Sequence, residues 1–212
     1  MTVVVEPQET SIPSPPGLRE RQRTQREQAI VEAAFVLIAE EGYEAMTMDG
    51  LAERVGISKP TLYNHFPSKD AITVRALVDL NERTVNLIHA IDSSLPPGER
   101  LERVMRLMVQ NRLSPTPSAL LRARTLLKPA KSHPDYQRAA GRKIDAIADI
   151  IVAAQQTGDI DVTMRPRLLA QMMFTVVCAP EYDDLIARGD ANPRDIEETL
   201  VTMFFNGVRR RR

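Results

Sequence analysis

The segment VGISKPTLYNHFPSK, residues 55–69, concentrates side chains that donate hydrogen bonds and avoids side chains that carry negative charge. From Ile57 to Lys69 there is no Asp or Glu, although the whole chain has 28 acidic and 28 basic residues. The segment carries two lysines, several hydroxyl groups, one Asn and one His. Such a surface suits an anionic partner, because a groove lined by phosphates repels carboxylates. A solvated polar helix face is the alternative interpretation.

The individual side chains match the chemistry of DNA grooves. A lysine reaches O6 and N7 of guanine, an asparagine pairs bidentately with adenine, and Thr or Pro contacts the thymine methyl group. Tyrosine and lysine also donate hydrogen bonds to phosphates. This chemistry predicts base contacts by Lys59, Pro60, Thr61 and Asn64, and phosphate contacts by Tyr63 and Lys69.

Two short helices joined by three residues must position these side chains. Thr47 is placed to cap a helix over 48–55, which Gly56 ends. Ser58 is placed to cap a second helix over 59–66. This spacing predicts a helix-turn-helix over about 47–66.

Residues inside the two helices meet the packing demands of such a motif. Ala52 is small enough for a close helix crossing, and Gly56 tolerates the positive φ that the turn requires. A small apolar core is expected from Leu51, Val55, Ile57 and Leu62.

The flanking sequence predicts further helices and no strands. Thr24 and Glu27 have capping-box spacing and predict the start of a helix that Gly42 ends, while Pro67 and Ser68 start a long fourth helix. Periodic apolar patterns between Pro and Gly breaks predict later helices over 99–113, 117–128, 134–157, 165–188 and 194–209. The fold class is therefore expected to be all-α.

The run AAFVLIAEEGYEAMTMDGLAERVGISKPTLYNHFPSKDAI resembles the DNA-binding domain of the TetR family of bacterial transcriptional regulators. The resemblance covers residues 24–84. It implies an N-terminal helix-turn-helix domain followed by a C-terminal helical domain for ligand binding and dimerisation. It also implies a repressor that binds a palindromic operator as a homodimer and releases it when a small-molecule inducer binds.

The resemblance also assigns roles to single residues. It gives base reading to Lys59, Pro60, Thr61 and Asn64, and phosphate contacts to Thr47, Ser58, Tyr63, His65 and Lys69. Asp49 and Gly50 depart from the pattern, because some members place there a basic residue that reaches the groove. This departure leaves base reading by the second helix open.

The residues that precede this domain divide into a disordered arm and a basic cluster. Several prolines and Gly17 predict that residues 1–18 form the arm. Four arginines follow, at positions 19, 21, 23 and 26. They either add phosphate or minor-groove contacts or form a solvated basic tail.

The C-terminal domain, residues 85–212, is expected to dimerise. Residues 168–180 are apolar around most of a helix, and the helix over 194–209 has an apolar face. That face comprises Ile196, Leu200, Met203, Phe204, Gly207 and Val208. Together the two helices offer more apolar surface than one small domain readily covers, so a homodimer through an intermolecular helix bundle is predicted.

An inducer pocket is expected in the same domain, with an apolar ligand. Methionine side chains adapt to varied ligands, and Met at helical spacing is also common in an ordinary core. The candidate lining residues are Met105, Met108, Leu120, Leu121, Met172 and Phe174. Arg122 and Arg124 either neutralise an acidic ligand or lie on the surface.

Two other classes of function compete with DNA binding. An enzyme would usually show a catalytic constellation, but His65, His89 and His133 are scattered and Cys178 lies in an apolar run. No HExxH, GxGxxG or P-loop motif is present, and no cofactor or metal is predicted. The third class is a helical interaction protein whose DNA-binding module has lost its role.

Several features of the sequence predict a cytoplasmic location. The single cysteine cannot form an intrachain disulfide, and the N-terminus lacks the basic and apolar regions of a secretory signal. The most apolar segment, 168–180, is shorter than the roughly 20 residues of a membrane-spanning helix. No membrane association is therefore expected.

Overall fold

The structure, a computed structural model, describes residues 17–114 and 130–208. Within these ranges the regular elements are nine α-helices, and no β-strand is present. The helices are α1 Leu18–Glu41, α2 Met48–Val55, α3 Lys59–His65, α4 Lys69–His89, α5 Pro97–Leu113, α6 Pro134–Gln156, α7 Pro166–Val177, α8 Glu181–Arg188 and α9 Pro193–Val208. The all-α prediction is confirmed.

Local capping interactions fix the helix-turn-helix as the sequence predicts. The Thr47 hydroxyl accepts a hydrogen bond from the Gly50 amide at 3.1 Å, and the Ser58 hydroxyl accepts one from the Thr61 amide at 3.3 Å. Gly56 ends α2 in the left-handed conformation, with φ 72°. An L-residue with a side chain rarely adopts this φ, so glycine is needed at the turn.

Helix α1 begins six residues before the predicted capping box. Its N-cap is Gly17, and Thr24 and Glu27 lie inside the helix, so the prediction of a start at Thr24 is wrong. The extra turns contain good helix formers, and Arg23 pairs with Glu27 at 2.9 Å with helical i,i+4 spacing. The four arginines of the basic cluster therefore lie on α1, whereas residues 1–16 of the predicted arm lie outside the described residues.

The predicted helix over 165–188 is two helices. Helix α7 ends at Val177 and α8 begins at Glu181, with Pro180 between them. Proline has no amide hydrogen to donate, and its ring disfavours a helical conformation in the preceding residue. Across this interruption, the Tyr182 hydroxyl of α8 donates a hydrogen bond to the Val176 carbonyl of α7 at 2.7 Å. The helix predicted over 117–128 lies outside the described residues.

Helix α4 contributes to three apolar clusters. Ile72 and Ala76 pack in the core of α1–α3, and Leu77 packs with Ala139 of α6. Ile88 belongs to the large core of α5, α6, α7 and α9. No helix in the described residues is long and apolar enough to span a bilayer.

Candidate functional site

Helix α3 carries the four side chains that the sequence assigns to base edges, together with Tyr63, which it assigns to a phosphate. Lys59, Pro60 and Asn64 are exposed, Tyr63 is 44% exposed, and Thr61 is half-buried. We call these five residues the recognition face. The opposite side of α3 is anchored by the fully buried Leu62, so the recognition face points away from the core.

An acidic side chain from α2 contacts the recognition face. Asp49 pairs with the Lys59 ammonium at 2.7 Å through Oδ1 and 2.9 Å through Oδ2, and both side chains are exposed. The hydrogen bond and charge of Asp49 raise the pKa of Lys59. Lys59 must therefore leave Asp49, or share its donors, when it binds an anionic or base-edge acceptor.

The two capping hydroxyls flank this face. Besides its cap bond, Ser58 Oγ lies 2.7 Å from Thr61 Oγ1, so the two hydroxyls are hydrogen-bonded to each other. Thr47 Oγ1 accepts only through a lone pair, which leaves its hydroxyl proton able to donate to a phosphate. Positioning the helix and contacting a phosphate are thus compatible at Thr47.

His65 and Lys69 face the protein more than the recognition face does. His65 Nδ1 lies 3.3 Å from Glu27 Oε1 of α1. Burial raises the pKa of Glu27, but hydrogen bonds and charges from Arg23 and His65 outweigh it and hold that pKa below its ordinary value. Lys69 donates to the Tyr43 carbonyl at 2.9 Å and lies 4.1 Å from the centre of the Tyr43 ring. Both residues therefore tie α3 and α4 to α1 and to the turn that follows it.

A second candidate site is a cavity of about 60 Å³ between α4, α5, α6 and α7. Leu77, Leu80 and Met108 form part of its apolar wall. Its polar lining includes Asn81, Thr84, Asn111, Arg112, Lys143 and Cys178. An outer groove of about 920 Å³ shares Tyr136, Lys143, Phe174 and Cys178 with the cavity.

The predicted ligand residues separate into different environments. Met108 and Phe174 line the cavity, whereas Met105 is completely buried in the core and Met172 is 55% exposed on α7. Neither Met105 nor Met172 lines the cavity, because helical rotation turns them to other sides of their helices. Leu121, with Leu120, Arg122 and Arg124, lies outside the described residues.

Two buried cations at the cavity, Arg112 and Lys143, were not predicted from the sequence. Lys143 lies four residues from both Ala139 and Ile147 on the buried face of α6, and Arg112 lies four residues after Met108 on the buried face of α5. A charged residue inside an apolar helical stripe was the signal that could have found them. Among the described residues, no group of three or more His, Cys, Asp or Glu side chains could hold a metal ion.

The N-terminal region matches the family model described as bacterial regulatory proteins, tetR family, over residues 30–76. This match places the N-terminal domain of the chain in the TetR family. The matched residues run from the core of α1 through the helix-turn-helix into the first turns of α4.

Three similar proteins illustrate how far the similarity extends. The transcriptional regulator TcmR of Streptomyces glaucescens is 27% identical over 80% of this chain and 77% of its own length. The transcriptional repressor KstR of Rhodococcus jostii is 38% identical over 41% of this chain and 39% of its own length. The solved structure of the fatty acid degradation regulator FadR from Bacillus halodurans has a TM-score of 0.73 at 16% identity, and it covers 88% of this chain and 97% of that one.

Loss of the Asp49 carboxylate should strengthen DNA binding. In Asp49→Asn, Lys59 no longer has an ionised partner, and the gain reflects an exposed ion pair worth about 0.2 to 1 kcal/mol. We expect duplex DNA to bind about two- to fivefold more tightly, measured by fluorescence anisotropy at fixed salt. Glu53→Gln removes the same charge from α2 without touching Lys59 and is the control. Equal gains in both variants would mean that only net charge matters.

The buried Lys143 ammonium should make stability depend on pH. Burial lowers the pKa of Lys143 to about 8, so the folded chain binds this proton less tightly than the unfolded chain. The free-energy cost of burying the charged ammonium is present in full below pH 8. It disappears as the pH rises towards about 10.5, the pKa of this lysine in the unfolded chain. Between pH 7 and 10, urea unfolding should show that the free energy of unfolding of the wild type rises by about 2 to 3 kcal/mol relative to that of Lys143→Met.

The neighbouring surface residue provides the control for this pH dependence. Arg142 is exposed and pairs with Glu82 at 2.8 Å, so Arg142→Met should show no comparable change over the same pH range. A constant difference between the wild type and Lys143→Met from pH 7 to 10 would contradict the assignment.

Proposed function

We propose that this TetR-family chain, a DNA-binding regulator of transcription, is a repressor that binds a palindromic operator as a homodimer. A small molecule in the C-terminal half releases it from DNA. The observation that carries the proposal is the recognition face, which projects from a capped helix-turn-helix and includes no acidic residue of its own. The similarity to KstR, a transcriptional repressor, supports repression.

The contacts divide into two kinds in this proposal. Lys59, Pro60, Thr61 and Asn64 contact base edges, because they share the exposed side of α3. Thr47, Ser58 and Tyr63 contact phosphates at its edges. His65 and Lys69 belong to the phosphate set as well, and their bonds to Glu27 and Tyr43 hold them in place before DNA binds. Lys69 keeps two further ammonium protons for a phosphate.

The proposed domains meet along α4. The DNA-binding domain comprises residues 24–84 together with the earlier part of α1, and the ligand-binding and dimerisation domain comprises residues 85–212. The separate apolar clusters of α1–α3 and of α5, α6, α7 and α9 support this division. Leu77, Leu80 and Thr84 of α4 line the cavity, which gives a ligand direct contact with the helix that follows α3.

Exposed apolar side chains on α7 and α9 support dimerisation through these helices. Leu168, Met172 and Met203 are each more than half exposed. Phe204, in contrast, is buried and packs edge-on against Phe205 at 5.4 Å between ring centres. The surface available to a second copy is therefore formed by the methionines and Leu168, while Phe204 stabilises the subunit itself.

Selection of bound duplexes from random DNA by the purified full chain tests the function. We expect a palindromic site whose half-sites lie about one helical turn, or a multiple of it, apart. Asn64→Ala should lose preference at one base pair in each half-site, by about 1 to 3 kcal/mol. Tyr63→Phe removes one phosphate donor and should weaken all duplexes by a similar factor. A base-substitution scan of the selected operator measures both.

Two outcomes would contradict the proposal. Failure to enrich any sequence would exclude an operator-specific regulator, and an asymmetric selected site would exclude a symmetric dimer. If Asn64→Ala weakened every operator variant equally while Tyr63→Phe changed the preference at one base pair, the two roles would be reversed.

Charge on the exposed apolar surface should disrupt the dimer. We expect wild-type chain to sediment as a dimer, and Met172→Asp and Met203→Asp to shift it towards monomer, because each buries a carboxylate in an apolar interface. Val162→Asp is the matched control, since Val162 is 66% exposed but lies outside α7 and α9. Equal dissociation of all three variants, or a monomeric wild type, would refute this interface.

A further inference from the structure

Lys143 is a buried cation without an anionic partner among the described residues. Its side chain lies in the wall of the cavity, and the residue is only 4% exposed. Its ammonium donates to Asn81 Oδ1 at 2.7 Å and lies 3.3 Å from the centre of the Phe174 ring. These contacts stabilise a cation, but neither supplies the negative charge that usually accompanies a buried ammonium.

The amino-acid sequence narrows where a counter-charge could come from. The segment 115–129, PTPSALLRARTLLKP, has no Asp or Glu. The described carboxylates form no ion pair with Lys143 within 4.0 Å. Within the described residues, Lys143 therefore contacts a ring and an amide oxygen rather than a carboxylate.

Arg112 adds a second cation at the same cavity. It is almost completely buried and pairs with Asp183 through its two terminal nitrogens, at 2.8 Å from Nη2 and 3.3 Å from Nη1. It also donates to the Ala179 carbonyl at 3.1 Å. Its Nε is buried and has no hydrogen-bond partner in the described part of the chain. Asp183 thus pairs with Arg112, and it forms no ion pair with Lys143 within 4.0 Å.

Lys143 lies where the inner cavity meets the outer groove, and this position indicates which part of a ligand it would contact. Lys143 and Phe174 line both the small inner cavity and the large outer groove. Leu77, Leu80 and Met108 make one wall of the inner cavity apolar. A ligand whose apolar part fills the inner cavity would therefore place a polar group beside the ammonium.

We propose that this cavity binds a small organic acid whose carboxylate pairs with Lys143 while its apolar body lies against Leu77, Leu80 and Met108. The proposal rests on the proposed function and specifies the chemical class of its inducer. It replaces a purely apolar ligand with an amphiphilic one. The carboxylate supplies the missing counter-charge where water is largely excluded, which strengthens the ion pair relative to one on the surface.

The Phe174 ring covers part of the ammonium that this pairing would use. The ring centre lies 3.3 Å from the ammonium, so a carboxylate that approaches Lys143 from the groove displaces the ring or enters beside it. The Asn81 amide stays in place, because its nitrogen donates to the Leu77 carbonyl within α4 at 2.7 Å. A bound acid would thus contact α4 indirectly through Asn81 as well as through the apolar wall.

Calorimetric titration with acids and their matched amides tests this site. The probes are benzoate against benzamide and hexanoate against hexanamide, at constant ionic strength and pH 7. We expect at least one acid to bind wild-type chain about tenfold or more tightly than its amide. Lys143→Met should reduce that ratio to about one, whereas Arg142→Met, which removes an adjacent exposed cation, should preserve it.

The comparison of acid and amide affinities in the wild-type chain tests the proposal even if Lys143→Met fails to fold. Equal affinity for acid and amide, or no acid binding up to about 10 mM, would overturn the proposal. Retention of the full acid preference by a folded Lys143→Met would also overturn it. In each case Lys143 would be a structural cation held by Asn81 and Phe174.

A parallel measurement of operator release separates this proposal from the proposed function. Release of DNA by an acid but not by its amide, lost in Lys143→Met, is the expected result. If the chain selects an operator but shows no acid preference, the regulator stands and the acid site fails. If the acids bind through Lys143 but no DNA is selected, the acid site stands and the regulator fails.

Discussion

The packing of α4 is the constraint on which the rest of the structure depends. One continuous helix of 21 residues, about 31 Å long, places Ile72 in the core of α1–α3 and Ile88 in the core of the C-terminal helices. Between them, Leu77 and Asn81 line the cavity at helical i,i+4 spacing. Ser68 caps this helix three residues after α3 ends. A displacement of α4 at the cavity would therefore also move the C-terminal end of α3, because close-packed cores resist deformation.

The Asp49–Lys59 pair gives the recognition face a different electrostatic character from its sequence. The segment 57–69 contains no acid, yet folding brings a carboxylate from α2 to 2.7 Å from its first lysine. An exposed pair of this kind contributes little to stability, so little free energy would oppose its replacement by a phosphate or base edge in the proposed DNA complex. In the proposed complex, the main effect of the pair would be to weaken sequence-independent DNA binding, because a neutralised lysine attracts any phosphate backbone less. Discrimination then depends more on contacts that only a matching base sequence can supply.

Local interactions were readable from the sequence, and long-range ones were not. Thr47, Gly56 and Ser58 act within four residues along the chain, so spacing alone located the boundaries of α2 and the start of α3. The start of α1 was missed because a capping-box pattern at Thr24 was outweighed by continued helix-forming residues. Met172 and Met173 show the limit of prediction from the sequence: the first is 55% exposed and the second completely buried, although they are adjacent residues of the same type. Their difference depends on which helices surround α7, and the chain pattern does not encode that directly.

The uncompensated charge of Lys143 bears on how a ligand could control DNA binding. A ligand shifts a conformational equilibrium only by the difference between its affinities for the two states. An apolar ligand distinguishes the two conformational states only by how well it fits the cavity in each. An inner cavity of about 60 Å³ holds only a small apolar group, so this difference is small. A carboxylate adds an electrostatic difference, because its attraction to Lys143 changes steeply with distance and with the exclusion of water. Since Lys143 is joined through Asn81 to α4, a state that brings the ammonium and carboxylate together also fixes the position of the helix that supports α3.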